Sequence, residues 1–142
     1  MTMTLKSTFT TILFFTLFIS SSVAQSCVGI WKTIDDETGE EQSQVEIYEK
    51  SGKYYGKIIK LINPTTDVCN TCTGDREGNF LVGMEILWDM EKSGSTWKNG
   101  EIFSPTKDKT YSCKLWLEGK DILKVRGYVA LFYRTQTWHR IK

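Results

Sequence analysis

The sequence holds almost no histidine and almost no proline: His139 is its one imidazole, and Pro64 and Pro105 are its two prolines. A Ser-His-Asp or Cys-His arrangement would have to be built on His139. That residue sits between Trp138 and Arg140 near the C-terminus, on the parity of Thr135 and Thr137, where a surface position fits it better. No Gly-x-Ser-x-Gly elbow occurs, no glycine loop leads into a helix to cradle phosphate, and no pair of carboxylates stands out. Nothing in the residues therefore identifies a reaction, and no cofactor is expected. An excess of charge of one sign is missing too. Eighteen Lys and Arg face seventeen Asp and Glu, interleaved along the chain, so no basic face neutralises phosphates and nucleic acid is not an expected partner. Also missing is helical periodicity: beyond residue 24 no stretch of ten or more residues carries apolar side chains at three- and four-residue spacing. Low-complexity linkers and repeats of fixed period are absent as well, which leaves one domain.

The N-terminus is apolar, but briefly so. Lys6 precedes the run Phe9 to Ile19, which is too short to span a bilayer as a helix, and Ser22-Val23-Ala24 supplies the small residues a signal peptidase accepts. This pattern predicts a signal peptide over 1–24, cleavage after Ala24, and one domain over 25–142, exported to the periplasm or beyond. No transmembrane segment would remain after cleavage. Removal of the segment takes away Lys6 and no acid, which leaves basic and acidic residues equal in number. A lipid anchor on Cys27, behind Ala24-Gln25-Ser26, is the alternative, although Gln25 suits such a site poorly.

What the domain does show is alternation. Val45-Glu46-Ile47-Tyr48-Glu49 alternates apolar and polar, Lys50-Ser51-Gly52-Lys53 offers a turn, and Tyr54 to Ile62 resumes, which predicts a β-hairpin. Leu81 to Trp88 reads as a further strand. The pair Asn99-Gly100, which tolerates positive φ, predicts another reversal. Tyr111, Cys113, Leu115 and Leu117 share one parity; Glu118-Gly119-Lys120-Asp121 turns; Leu123, Val125, Gly127 and Val129 share a parity of the next strand. With Val28 to Ile34 first and Tyr133 to Ile141 last, about eight strands are expected. The fold class is therefore all-β, a single antiparallel barrel or, as the alternative, a β-sandwich. The longest break is Asn63 to Asn79.

Four cysteines and one acidic run are the candidates for special chemistry. Cys69-x-x-Cys72 is followed by Thr73-Gly74-Asp75-Arg76-Glu77-Gly78-Asn79, turn chemistry instead of the helix N-terminus that activates a thiol. In an exported chain the pair reads as a structural disulfide pinning the longest loop. Cys27 and Cys113 are further disulfide candidates, Cys113 being on the apolar parity of its strand. One Cys-x-x-Cys is only half a tetrahedral zinc site. The run Asp35-Asp36-Glu37-Thr38-Gly39-Glu40-Glu41 lacks the spaced ligands of a calcium loop and reads as a solvated connection. No metal site is expected.

Several stretches together carry a resemblance: Gly29-Ile30-Trp31-Lys32-Thr33-Ile34-Asp35-Asp36-Glu37-Thr38-Gly39, Cys69-Asn70-Thr71-Cys72-Thr73-Gly74-Asp75, Gly83-Met84-Glu85-Ile86-Leu87, Cys113-Lys114-Leu115-Trp116, Val125-Arg126-Gly127-Tyr128 and Arg134-Thr135-Gln136-Thr137-Trp138. They resemble a bacterial family of small exported proteins known only as a domain of unknown function, and the likeness runs over nearly all of residues 25–142. It implies no activity. The opening Gly29-x-Trp31 is similar to the start of lipocalin-like barrels, in which an Arg of the last strand packs over that Trp. This second resemblance implies a lipocalin-like closure with Arg134 or Arg140 stacked on Trp31.

Aromatic residues are numerous for so short a domain, and most of them should be core. The functional expectation is that Trp31, Tyr55, Arg126, Tyr128, Arg134, Gln136 and Trp138 line a cavity open at one end of the barrel and hold a small apolar or amphipathic molecule. The expected function is thus that of a non-enzymatic binding protein of the bacterial envelope. Its rivals are a structural or protein-interaction module of the envelope and an enzyme, either a thiol oxidoreductase at Cys69 and Cys72 or a hydrolase.

Overall fold

A computed structural model describes residues 24–142. The expected signal segment, Lys6 and Phe9 to Ile19 included, lies outside the described residues. Eight strands follow in order: β1 (Gly29–Ile34), β2 (Glu41–Lys50), β3 (Lys53–Leu61), β4 (Glu85–Ser93), β5 (Thr96–Ser104), β6 (Lys109–Leu117), β7 (Ile122–Val129) and β8 (Phe132–Arg140). Each pairs antiparallel with its neighbour in sequence, and β8 returns to β1, so the sheet closes into a barrel. The sandwich alternative is thereby set aside. Closure rests on a short seam, Trp31 with Arg140 and Lys32 with His139, and no pairing with β1 extends along Phe132 to Trp138 among the described residues.

Alternation does what its period of two requires. Val45, Ile47, Leu115 and Val125 all point inward and are buried, with Tyr54, Ile58, Leu87, Met90 and Leu123 beside them. Trp31, Trp97 and Trp138 are each at most 1 % exposed and fill the base of the barrel, while Ile102, Tyr111 and Gln136, nearer its other end, are only partly buried. Two turns fall where the sequence puts them. Ser51 and Gly52 take positive φ between β2 and β3, and Gly119 does so between β6 and β7.

The expected reversal at Asn99-Gly100 is not there. The hairpin turns five residues earlier, at Gly94-Ser95, and Asn99-Gly100 lies inside β5. Positive φ is nonetheless used, 65° at Asn99 and 56° at Asp89 on the paired strand. This double irregularity flips the facing so that Leu87 and Met90 are both buried despite their odd spacing. Gly100 is obligatory here, since a Cβ would strike the Trp88 carbonyl and the Met90 backbone nitrogen. An Asn-Gly pair supplies backbone freedom, and a bulge can use that freedom as readily as a turn. The strand expected from Leu81 likewise starts later, at Glu85, because Gly83 (φ 91°) bends the chain just before it.

Arg140 closes the base of the barrel. Trp31 and Arg140 are direct partners across the β1–β8 seam, and the guanidinium lies 4.2 Å over the indole. It donates to the carbonyls of Ser26, Val28 and Lys120 at 2.7, 2.8 and 2.7 Å, while Trp31 Nε1 donates to the Cys27 carbonyl at 2.8 Å. One side chain therefore binds the N-terminal segment, the β6–β7 turn and the first tryptophan together. Arg134, the other candidate for this contact, is at the opposite end.

Candidate binding groove on the outer wall

The long connection from β3 to β4 builds a lobe on the outside of the barrel. Its two arms pair: Cys69 N–H donates to the Asn79 carbonyl at 2.8 Å, Leu81 N–H to that of Asp67 at 2.9 Å, and Val68 bridges Phe80. Cys69 and Cys72 form the disulfide at the lobe's turn, and both are buried. A short 3-10 turn, Gly74–Arg76, follows. Thr73 Oγ1 donates to Asp108 at 2.6 Å and ties the lobe to the β5–β6 connection.

This lobe explains two residues that alternation would leave in water. Ile86 and Phe103 point away from the barrel axis, yet are only 6 % and 3 % exposed. The Arg76 guanidinium stacks 4.2 Å from the Phe103 ring centre and 5.5 Å from that of Trp88. Among the described residues no carboxylate pairs with Arg76, so its donors remain available to a ligand.

Between the lobe and β4 runs a groove of about 670 Å³. Phe80, Val82, Met84 and Trp88 supply its apolar walls, and Arg76, Asn79 and Glu85 its polar groups. Glu85 is already engaged by Tyr48 Oη at 3.0 Å, and burial together with that carboxylate pushes the Tyr48 phenol above its ordinary range. Asn79 Nδ2 donates to the Asp75 carbonyl at 2.8 Å, which leaves its amide oxygen free to accept. Apolar walls with one unpaired cation fit an amphipathic molecule with an acceptor or anionic head, and the volume lies in the range of small-molecule sites.

The seven residues expected to line one cavity fall in four places. Trp31 and Trp138 are in the filled base, and Gln136 accepts from Trp138 Nε1 at 3.1 Å. Arg134 stands at the other end of the barrel, bound to Asp36 and Glu37, which raises its pKa, chiefly through the Asp36 hydrogen bond. Tyr55 is on the outside of β3, bonded to Asp89 at 3.1 Å and stacked on Tyr48. Arg126 and Tyr128 are on the outside of β7. There the Arg126 guanidinium lies 4.9 Å from the Trp116 ring centre and 4.1 Å from that of Tyr133. Arg76, Phe80, Val82 and Met84 were not singled out by sequence. The apolar run Phe80-Leu81-Val82 directly after a disulfide-pinned loop was the available signal.

The remaining candidates have structural surroundings. Asp35 Oδ1 accepts from the backbone N–H groups of Glu37 and Thr38, bonds that hold its carboxyl below the usual range and organise the β1–β2 connection. Cys27 and Cys113 do not pair: both are free, buried thiols. Burial pushes Cys27 up to about 12 and Cys113 well above the ordinary thiol range.

The sequence pattern of a bacterial family described as an uncharacterized protein conserved in bacteria (DUF2147) matches residues 29–140. The chain belongs to this family. No curated protein matches the chain. Among solved structures it is similar to protein HP1028 of Helicobacter pylori, described as belonging to the lipocalin family, with a TM-score of 0.73 and 20 % identity over 83 % of this chain and 84 % of that one. At that identity the likeness shows the fold, a lipocalin-like barrel, and leaves function to the site.

Proposed function

We propose that this DUF2147 chain is an exported, non-enzymatic binder of a small amphipathic molecule, and that the molecule lies in the groove between the lobe and β4. The observation that carries the reading is the pairing of Arg76, which has no carboxylate partner among the described residues, with an apolar wall of Phe80, Met84 and Trp88, set against a barrel base filled by three tryptophans. Binding at the base of the lumen would have to displace Trp31, Trp97 and Trp138, which are fully buried. A buried disulfide fits an oxidising compartment, and the full burial of Cys27 favours a free thiol there over a lipid anchor. The thiol oxidoreductase reading finds no support in two buried cysteines that precede only a three-residue turn.

The test is fluorescence titration with 1-anilinonaphthalene-8-sulfonate, an apolar probe with an anionic head, followed by mass spectrometry of what co-elutes from an envelope lipid extract. Saturable one-site binding is expected, weakened about tenfold by Arg76→Ala, the scale of one charge-assisted hydrogen bond. Equal affinity in wild type and Arg76→Ala would overturn the groove as the site.

A further inference from the structure

The turns of this barrel differ in one respect that packing does not explain. Those between β2 and β3, β4 and β5, and β6 and β7 use Ser51-Gly52, Gly94-Ser95 and Glu118 to Asp121, polar or glycine residues suited to tight reversals. The β7–β8 turn uses Ala130-Leu131, and Ala130 takes a φ of 50°, a conformation that favours glycine, asparagine or aspartate. The apolar character continues on both sides. Val129, Leu131, Phe132 and Tyr133 are 50, 95, 80 and 62 % exposed, and Val129 pairs with Phe132. Tyr133 packs against Arg126 and Tyr128, but Leu131 and Phe132 stand in water at a cost in solvation.

A second, independent feature lies directly behind the tip. The outward positions of β6, β7 and β8 form three cross-strand rows: Ser112, Tyr128 and Tyr133; Lys114, Arg126 and Thr135; Trp116, Lys124 and Thr137. These rows contain three cations, three aromatics and no acid. Arg126 Nε donates to Thr135 Oγ1 at 2.8 Å, and among the described residues neither Arg126 nor Lys114 has a carboxylate partner. Lys124 meets only Glu118, 3.9 Å away at the far end of the wall. Of the acids around it, Asp36 and Glu37 are held by Arg134 and Asp108 accepts from Thr73, while Glu101 continues the first row onto β5, two strands from Tyr128.

We propose that the β7–β8 tip docks on an anionic lipid bilayer, with Leu131 and Phe132 in the acyl boundary, Tyr128 and Tyr133 at headgroup level, and Arg126 and Lys114 against the phosphates. The spacing supports this order. Arg126 is three residues from Val129, about 10 Å along a strand, which matches the roughly 5–10 Å to which interfacial apolar faces sink. Tyrosine suits the level between. Val129 to Tyr133 line no groove among the described residues, the nearest being about 310 Å³ beside Lys114, Trp116 and Arg126, and a plane with apolar depth and anionic surface complements each layer of the tip. This face is separate from the groove at Arg76, so either proposal can fail alone.

The test uses protein processed and purified from cells expressing the full chain, co-sedimented with vesicles of phosphatidylcholine alone or mixed with phosphatidylglycerol. Binding is expected to the mixed vesicles, with Leu131→Asp/Phe132→Asp reducing it at least tenfold while the thermal melt stays unchanged. Arg126→Gln should weaken binding to mixed vesicles about fivefold and leave the weak binding to neutral ones as it is. Phe132→Trp, a replacement that keeps the tip apolar, should show blue-shifted emission quenched by brominated acyl chains. Undiminished binding by the double variant would overturn the proposal, as would equal binding to both vesicle types. A concentration-dependent dimer that the double variant abolishes, without vesicle binding in the wild type, would assign the tip to a second copy of the chain instead.

Discussion

The five tryptophans divide into an inner three and an outer two. Trp31, Trp97 and Trp138 fill the barrel, and Trp88 and Trp116 stand on its outside, half-buried, each beneath an arginine. Inside, the arginine over Trp31 spends its donors on three backbone carbonyls. Outside, among the described residues, Arg76 makes no hydrogen bond through its side chain and Arg126 makes one, to Thr135. The same pairing of guanidinium and indole thus has two roles. Where every donor is satisfied within the chain, the pair holds the barrel shut; where donors are left over, it is a surface prepared for something else. Even the one irregularity inside, the unpartnered Trp97 Nε1, lies in the packed base beside the Tyr54 ring instead of facing a space.

The largest expected difference between the two groups is in stability. Trp31→Ala should cost about 3–5 kcal/mol in chemical denaturation, because it opens a cavity and strands Arg140. Trp88→Ala should cost about 1–2 kcal/mol and instead impair probe binding. Equal losses would erase the distinction between inner and outer sites.

The interior can be tested a second way, through its thiols. An unfolded chain releases their protons near pH 9, while the folded chain keeps Cys27 protonated to about 12 and Cys113 beyond the ordinary range. Rising pH then favours unfolding. Stability present in full below pH 9 should be lost above it, by up to about 1.4 kcal/mol per pH unit for each thiol. Denaturation midpoints of the wild type and Cys27→Ala/Cys113→Ala, compared between pH 8 and 11, should show a shallower slope in the variant. Parallel slopes would mean that the thiols are not buried as described.

The smallest effect concerns the lobe. Cys69→Ser/Cys72→Ser removes a bridge across a very short loop and should cost no more than about 2 kcal/mol. Loss of order would be confined to the segment around Arg76, read by hydrogen exchange at Gly78, Asn79 and Leu81, with the β6–β8 amides unaffected. Global unfolding would show that the lobe is part of the barrel's core and not an attachment to it.

How far the sequence reveals this architecture depends on the range of each interaction. Alternation is local, so the hairpins at Ser51-Gly52 and Glu118 to Asp121 and the inward parity of Val45, Ile47, Leu115 and Val125 can be read residue by residue. Register is not local. Arg134 and Arg140 share a parity with Trp138, and only the pairing of Trp31 with Arg140 across the β1–β8 seam decides which of them caps Trp31. Asn99-Gly100 announces positive φ without saying whether a turn or a bulge uses it. The groove was the least legible part, because Ile86 and Phe103 are buried by a loop some distance along the chain, and no periodicity within β4 or β5 records that cover.

The most direct measurement of the account follows the five indole N–H resonances by 15N–1H correlation while 1-anilinonaphthalene-8-sulfonate is added. The Trp88 signal should shift in step with binding, and those of Trp31, Trp97 and Trp138 should stay in place. Movement of the inner three with Trp88 unmoved would contradict the account, since it would mean that the ligand enters the barrel base that Trp31, Trp97 and Trp138 fill.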